Sequence, residues 1–236
     1  MLQSLNSNFL RMQDSEYVKN AFSGIAKKYV ITNHILSLGI DILWRKKVSK
    51  LIALKEPKNV LDLATGSGDL AMEIKRQCPS SKITCSDFCQ PMLDIAKARG
   101  LKTVLADALS LPFNDGDFDL VSVGFGLRNM ANWSKALHEM RRVTKKNGSL
   151  VILDFSLPPD RFRKKIYGFY LNNILPSIAG TITRQKAAYK YLAKTIHEFP
   201  SGSKMCKFIE ENGFKQAKHY QLSFGIASIY VAERAE

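Results

Sequence analysis

From residue 58 onward, short runs of β-branched residues and leucine alternate with helix-patterned segments, and the first run ends in a glycine turn, Ala64-Thr65-Gly66-Ser67-Gly68-Asp69. That alternation is the signature of βαβ units closing into a mostly parallel sheet. It predicts strands at 59–63, 82–86, 102–105, 118–125 and 149–153, and helices at 69–77, 91–98 and 133–143. Pro91 suits a first helical turn, where its missing N–H costs nothing. Asn147-Gly148 supplies a tight turn into the strand at 149–153. After Leu153 the pattern breaks at Pro158-Pro159. A helical stretch rich in aromatic and basic residues follows, which we read as an insertion at 159–199 over the ligand-binding edge. A helix at 203–212 stopped by Gly213 and two strands, 215–222 and 226–233, read as a closing hairpin. The expected architecture is α/β and Rossmann-like: a mostly parallel seven-stranded sheet with a terminal antiparallel hairpin and a helical insertion. Residues 1–56 read as an N-terminal helical segment serving as a substrate-side lid, and 57–236 as the core.

In such a sheet, ligands bind beyond the carboxyl ends of the strands, so the residues just after each strand carry the information. Asp62 and the glycine turn, with Thr65, Gly66 and Gly68, follow the first strand and let a ligand approach the backbone. Asp87 follows the second, where a carboxylate can accept both hydroxyls of a ribose. Asp107-Ala108 follows the third and suits an adenine edge. Gly124-Phe125-Gly126-Leu127-Arg128-Asn129 follows the fourth. Gly66-x-Gly68-x-x-Ala71 also satisfies the dinucleotide fingerprint, so glycine spacing does not separate the two cofactor classes. Asp69 does. A pyrophosphate rests on the N-terminus of the first helix, and an aspartate there would repel it. S-adenosyl-L-methionine (SAM) has no phosphate and presents a sulfonium and an ammonium. The pattern therefore points to a class I SAM-dependent methyltransferase, with Asp62, Thr65, Gly66, Gly68, Asp87, Asp107, Ala108 and Gly124 binding the cofactor.

The chain carries 35 Lys+Arg against 21 Asp+Glu, a formal charge of +14, and its distribution matters more than its total. Basic and acidic residues number nine and four in 1–56, thirteen and eleven in 57–157, and thirteen and six in 158–236. A near-neutral centre with basic flanks turns the flanks toward an anionic partner such as nucleic acid or a phospholipid surface, unless the excess is only a compositional bias toward lysine. The N-terminus lacks the basic-then-apolar form of a secretory signal, and no apolar run approaches the roughly 18 residues of a membrane span. A cytoplasmic protein with membrane association through residues 161–194 and the N-terminal segment is expected. Cys78, Cys85, Cys89 and Cys206 lack paired C-x-x-C spacing and read as free thiols; no metal ligand set is expected.

Longer strings give a resemblance. Tyr29, Asn33, Ser37-Leu38-Gly39, Trp44-Arg45, Phe125-Gly126-Leu127-Arg128-Asn129, Arg142-Val143, Lys145, Gly148, Asp154-Phe155-Ser156, Tyr191-Leu192-Ala193 and Phe199-Pro200 are similar to motifs of the ubiquinone/menaquinone biosynthesis C-methyltransferases. The resemblance spans nearly the whole chain. Departures are Val30 for aspartate, Ile42 for arginine, Lys146-Asn147 for Pro-Gly, Asp154 for glutamate, and Gly124 where serine is frequent. They fall mostly in the N-terminal segment and on the substrate side. The resemblance implies methyl transfer to a ring carbon of a prenylated quinol, most simply demethylmenaquinol to menaquinol. Arg128 is then the candidate to hold or stabilise developing oxygen charge, with a surface or sheet-edge ion pair as its alternative, and Asn129 the candidate to orient a hydroxyl. His34, His138, His197 and His219 read as structural or exposed, and Tyr29, Tyr189 and Tyr191 as packing residues. Competing functions are a SAM enzyme acting on another small molecule or lipid, an RNA methyltransferase, and a non-catalytic SAM-binding protein. No RNA-binding motif supports a nucleic-acid partner. The oligomeric state is open, with a homodimer allowed.

Overall fold

The computed structural model describes residues 39–174 and 186–236. Seven strands form one sheet in the order β3-β2-β1-β4-β5-β7-β6. They are β1 (Asn59–Leu63), β2 (Lys82–Asp87), β3 (Lys102–Leu105), β4 (Phe118–Gly124), β5 (Thr144–Phe155), β6 (Phe214–Leu222) and β7 (Ala227–Arg234). All pairings are parallel except those of β7, which runs antiparallel to both β5 and β6. The mostly parallel sheet with its terminal antiparallel hairpin is the architecture expected from the sequence. Central strands read as unbroken apolar runs because both faces are covered; Leu120, Val121 and Val123 in β4 and Leu150 to Leu153 in β5 are all buried.

Helices α2 (Asp69–Gln77), α3 (Gln90–Ala98) and α4 (Trp133–Val143) fall within a residue of their predicted bounds. Asn132 caps α4 by accepting the Lys135 N–H at 2.9 Å, and Pro91 sits in the first turn of α3. The residues after Phe155 form α5 (Arg161–Phe169), a π turn (Tyr170–Ile174) and α6 (Lys186–Glu198), followed by α7 (Ser203–Glu211). Among the described residues, no helix is long and apolar enough to cross a membrane.

One local expectation is corrected. Asn147-Gly148 is no turn into β5, because β5 already begins at Thr144. The pair is a bulge inside the strand: the register with β4 jumps between Phe118 and Leu120, Asn147 takes φ 60°, and a Cβ on Gly148 would lie 2.8 Å from the Asp119 carbonyl oxygen. An Asn-Gly pair suits both structures, since each needs a left-handed residue beside a crowded backbone.

The described part of the N-terminal segment is α1 (Ile40–Ala53), which packs on the core. Trp44, Val48 and Ile52, spaced by four, make its buried stripe. Trp44 Nε1 donates to Ser223 Oγ at 3.0 Å, tying α1 to the tight turn between β6 and β7. Tyr29, Asn33, His34, Ser37 and Leu38 lie outside the described residues.

Candidate functional site: a carboxylate-lined cleft at the sheet edge

Strand order reverses between β1 and β4, and their register aligns Leu63 with Val123 at the carboxyl edge. That switch point is where an open α/β sheet leaves a crevice. A cavity there is lined by the 64–67 loop, Asp62, Asp69, Asp87, Gly124 to Gly126 and Asn129, with Leu70, Phe88, Cys89 and Met92 around them and Arg45 from α1. A second cavity adjoins it, sharing Ala64, Asp87, Phe88, Gly126 and Asn129, and adds Ala106, Asp107, Ala108 and Met130.

The glycine loop is built for approach. Gly66 and Gly68 adopt φ 57° and 82°, and a Cβ on Gly68 would meet Leu101 at 2.4 Å. Three of the loop's N–H groups are already spent: Thr65 donates to Ser86 O at 3.0 Å, Gly66 to Asp87 Oδ2 at 2.8 Å, and Gly68 to Thr65 O at 2.9 Å. These three amides are not available to a phosphate. Asp69 lines the cavity, yet its carboxylate is engaged by Arg99 at 2.6 Å and Ser67 at 2.9 Å. Burial works against its ionisation, but Arg99, Arg45 and Ser67 together hold it below the ordinary carboxylate range.

Asp62 and Asp87 differ from Asp69 in having no hydrogen-bonded cation among the described residues. Asp62 is fully buried and accepts from Ser122 Oγ at 2.6 Å and Thr65 Oγ1 at 2.5 Å. Burial pushes its carboxyl up to about 6 against those two hydrogen bonds and the pull of Arg45. Asp87 caps the next turn, taking the Gly66 and Cys89 N–H groups at 2.8 and 2.9 Å, and burial again raises its carboxyl. Two buried acids that hold only neutral donors, beside glycines that keep side chains out, suit a ligand with hydroxyls and positive charge. Gly124 belongs to the same exclusion, since a Cβ there would lie 3.1 Å from Leu70 Cδ2. The carboxylates and glycines present therefore fit S-adenosylmethionine, a ligand with hydroxyls, an ammonium and a sulfonium.

The model of the ubiE/COQ5 methyltransferase family matches residues 10–234. The chain belongs to this family. It is 41% identical over 219 residues to the demethylmenaquinone methyltransferase of Thermus thermophilus, covering 90% of this chain and 99% of that one. It is 39% identical over 231 residues to the ubiquinone/menaquinone biosynthesis C-methyltransferase of Geobacter sulfurreducens, covering 94% and 90%. A SAM-dependent methyltransferase of Thermotoga maritima shares the fold at a TM-score of 0.67 and 20% identity, over 90% of this chain and 98% of that one.

Within this family member, the Phe125–Asn129 string does two jobs. Asn129 lines both cavities and reaches Phe125 O through Nδ2 at 3.3 Å. Phe125, at φ 60°, turns its ring into a cluster with Trp44 and Phe155, at centroid distances of 6.1 and 4.8 Å. The expectation for Arg128 is corrected. Its side chain is 2% exposed and is absent from the described lining; Nη1 donates to Asp154 Oδ1 at 2.6 Å and to Phe125 O at 2.7 Å. A guanidinium committed to a buried aspartate, with its carbon 5.1 Å from the Phe155 ring centre, organises the wall rather than facing substrate oxygen. Arg128 is in an ion pair, but a buried one with Asp154 rather than the surface or sheet-edge pair weighed from the sequence. His138 and His197 are exposed, and His219 contacts Cys206 at 3.7 Å, away from both cavities. Tyr189 and Tyr191 fall on α6. Cys78, Cys85, Cys89 and Cys206 form no disulfide among the described residues.

Sequence reasoning missed Arg45 as a cavity residue. The Trp44-Arg45 string marked the position, and the spacing of Trp44, Val48 and Ile52 would have laid this helix against the core, carrying Arg45 with it.

Proposed function

We propose that the protein transfers a methyl group to a ring carbon of a prenylated quinol, converting demethylmenaquinol to menaquinol. SAM-dependent methylation in quinone biosynthesis is the function of its family, and the finer choice of acceptor rests on the relatives and the aromatic wall. The observation that carries the reading is the juxtaposition of the Asp62–Asp87 cavity with Phe125 of the Phe125–Asn129 string.

S-adenosylmethionine supplies an electrophilic methyl group on sulfonium sulfur. The chain's part is positioning and electrostatics. Thr65 and Ser122 fix the Asp62 carboxylate, while Gly66 and Cys89 fix Asp87, so both anions are oriented before a ligand arrives. Gly66 and Gly124 keep the floor open, while Gly68 leaves room for Leu101 and Ala96 behind it. Asn129, at the junction of the two cavities, orients the acceptor hydroxyl. Arg128 holds the Phe125 carbonyl and through it the aromatic wall. α1, from the N-terminal segment, lies against the core and brings Arg45 to the cavity. Incubating the protein with methyl-labelled SAM and demethylmenaquinol should place one label on the quinone ring by mass spectrometry. Label in RNA or in a non-quinone metabolite, with none on the quinone, would sink this function.

A prenyl tail belongs in a bilayer, and we propose that a cytoplasmic protein meets it at an anionic surface. Phe162, Ile166 and Phe169 lie on one face of α5 and are exposed, among exposed Arg161, Arg163, Lys164 and Lys165. Phe224 from the β6–β7 turn is also exposed and carries the Arg163 guanidinium 5.1 Å from its ring centre. The opposite face of the segment puts Tyr167 and Leu171 in the same apolar cluster as Phe125 and Phe155. One short helix thus joins an interface-type surface to the cavity wall. Binding to vesicles containing phosphatidylglycerol should fall as salt rises, each lysine or arginine near the surface contributing about 1 kcal/mol. Sedimentation with vesicles that ignores both salt and anionic lipid would remove this proposal.

A further inference from the structure

Among the described residues lining the first cavity, Arg45 is the one cation, facing the carboxylates of Asp62, Asp69 and Asp87. It comes from α1 rather than from the sheet edge, so its presence in the cleft depends on how that helix is seated. The seating is firm. Trp44 beside it is pinned by Ser223 and lies against Phe125 and Phe155, each with ring centres 6.1 Å away. The Arg45 side chain is 11% exposed, pairs with buried Asp41 one turn earlier, and places its guanidinium carbon 5.4 Å from the Phe125 ring centre. Its charge lowers both Asp62 and Asp69, although Asp62 is bonded to Ser122 and Thr65, and Asp69 to Arg99 and Ser67. The arginine is oriented by one carboxylate and an aromatic face, at the rim of a site whose other charges are negative.

A ligand with an amino-acid tail brings two opposite charges to such a site. Asp62 answers the ammonium. A carboxylate entering among three aspartates would be repelled unless a cation meets it, and guanidinium geometry matches carboxylate geometry. We propose that Arg45 holds the α-carboxylate of the methyl donor's methionine moiety, so that α1 completes the cofactor site and selects ligands that keep that carboxylate. This rests on S-adenosylmethionine as the donor. It makes Arg45 a binding residue supplied by the N-terminal segment, outside the glycine-loop signature.

The test is calorimetric and needs no turnover. The full chain is titrated with S-adenosyl-L-homocysteine and with its decarboxylated analogue, which keeps the ammonium and lacks the carboxylate. Arg45→Gln should weaken homocysteine-ligand binding about 30-fold, the scale of a charge-assisted hydrogen bond, and change the analogue less than about two-fold. Arg45→Lys, which keeps the charge and loses the fork, should fall between and guards against a folding defect in the glutamine variant. Equal losses for both ligands, or none for either, overturn the assignment of Arg45 alone. Wild-type protein that binds neither ligand overturns the donor reading and this proposal with it.

Discussion

Two buried aspartates at the carboxyl edge of the sheet, Asp62 on β1 and Asp154 on β5, make opposite bargains with the fold. Asp154 is fully buried and has its counter-charge built in, accepting from Arg128 Nη1 at 2.6 Å and from the Phe155 N–H at 2.8 Å. Asp62 is equally buried but, among the described residues, is held by two hydroxyls, and burial drives its carboxyl up to about 6 against the pull of Arg45. Burial raises the Asp154 carboxyl as well, but there a hydrogen-bonded guanidinium stands against it. The first carboxylate has its cation in contact within the chain, and the second faces the cleft. This difference separates the part of the edge that holds the aromatic wall from the part that holds ligand, and it puts stability and binding on different residues.

The largest effect should come from breaking the completed pair. Arg128→Met leaves Asp154 buried without its cation, a change expected to destabilise by about 3–5 kcal/mol. Urea unfolding should show it as a lower midpoint at unchanged slope. If Arg128 instead faced substrate, the variant would keep its midpoint and lose only turnover.

Asp62 should respond in the opposite sense and with pH. Its folded value, about 6, lies above the ordinary carboxylate value of 3.8, so the ligand-free fold binds the proton more tightly than the unfolded chain does. Stability from this group is therefore fullest below about pH 4 and falls as pH rises through 6, by on the order of 3 kcal/mol in total. Asp62→Asn should raise ligand-free stability at pH 7 and flatten that slope. Affinity for S-adenosyl-L-homocysteine should move the other way, weakening below about pH 6 in the wild type and losing that dependence in the variant. Thermal unfolding and calorimetry across pH 5 to 8 read both.

The same contrast shows how far the sequence carries. Asp62, Thr65, Gly66, Asp87 and Asp107 were legible because a parallel sheet places whatever follows its strands at one edge, so position in the chain implies position in the site. Arg128 was misassigned because the string that contains it does not say which way each side chain points. That direction is set by φ 60° at Phe125 and by Asp154, 26 residues away. Arg45 was missed for a related reason: it reaches the cleft from a helix outside the alternating pattern, and although the spacing of Trp44, Val48 and Ile52 lays that helix on the core, it does not say which cavity Arg45 meets. The bulge at Asn147-Gly148 was seen as a turn because both need the same residues.

Asp87 should show an effect between these and the glycines. Asp87→Ala removes the acceptor for the Gly66 and Cys89 N–H groups as well as the anion facing the ligand. A loss of about 2 kcal/mol, or some 30-fold in affinity for S-adenosyl-L-homocysteine, is expected, with 5′-deoxyadenosine, which keeps both ribose hydroxyls, losing about as much.

The smallest effect separates charge from shape beside Asp62. Gly124 and Gly66 both line the cavity, but only Gly66 has a backbone in the left-handed region, at φ 57°, with Met92 Cε 3.2 Å from a Cβ built on it. Gly66→Ala should cost roughly 1–2 kcal/mol through backbone strain alone. Gly124→Ser meets only Leu70 Cδ2 at 3.1 Å, the far end of a side chain that can rotate away. Its cost should stay below about 1 kcal/mol, with cofactor affinity within about three-fold of wild type. A serine there that abolished binding would mean that the cleft tolerates no side chain at this wall, and that shape rather than the unpaired charge of Asp62 governs ligand entry.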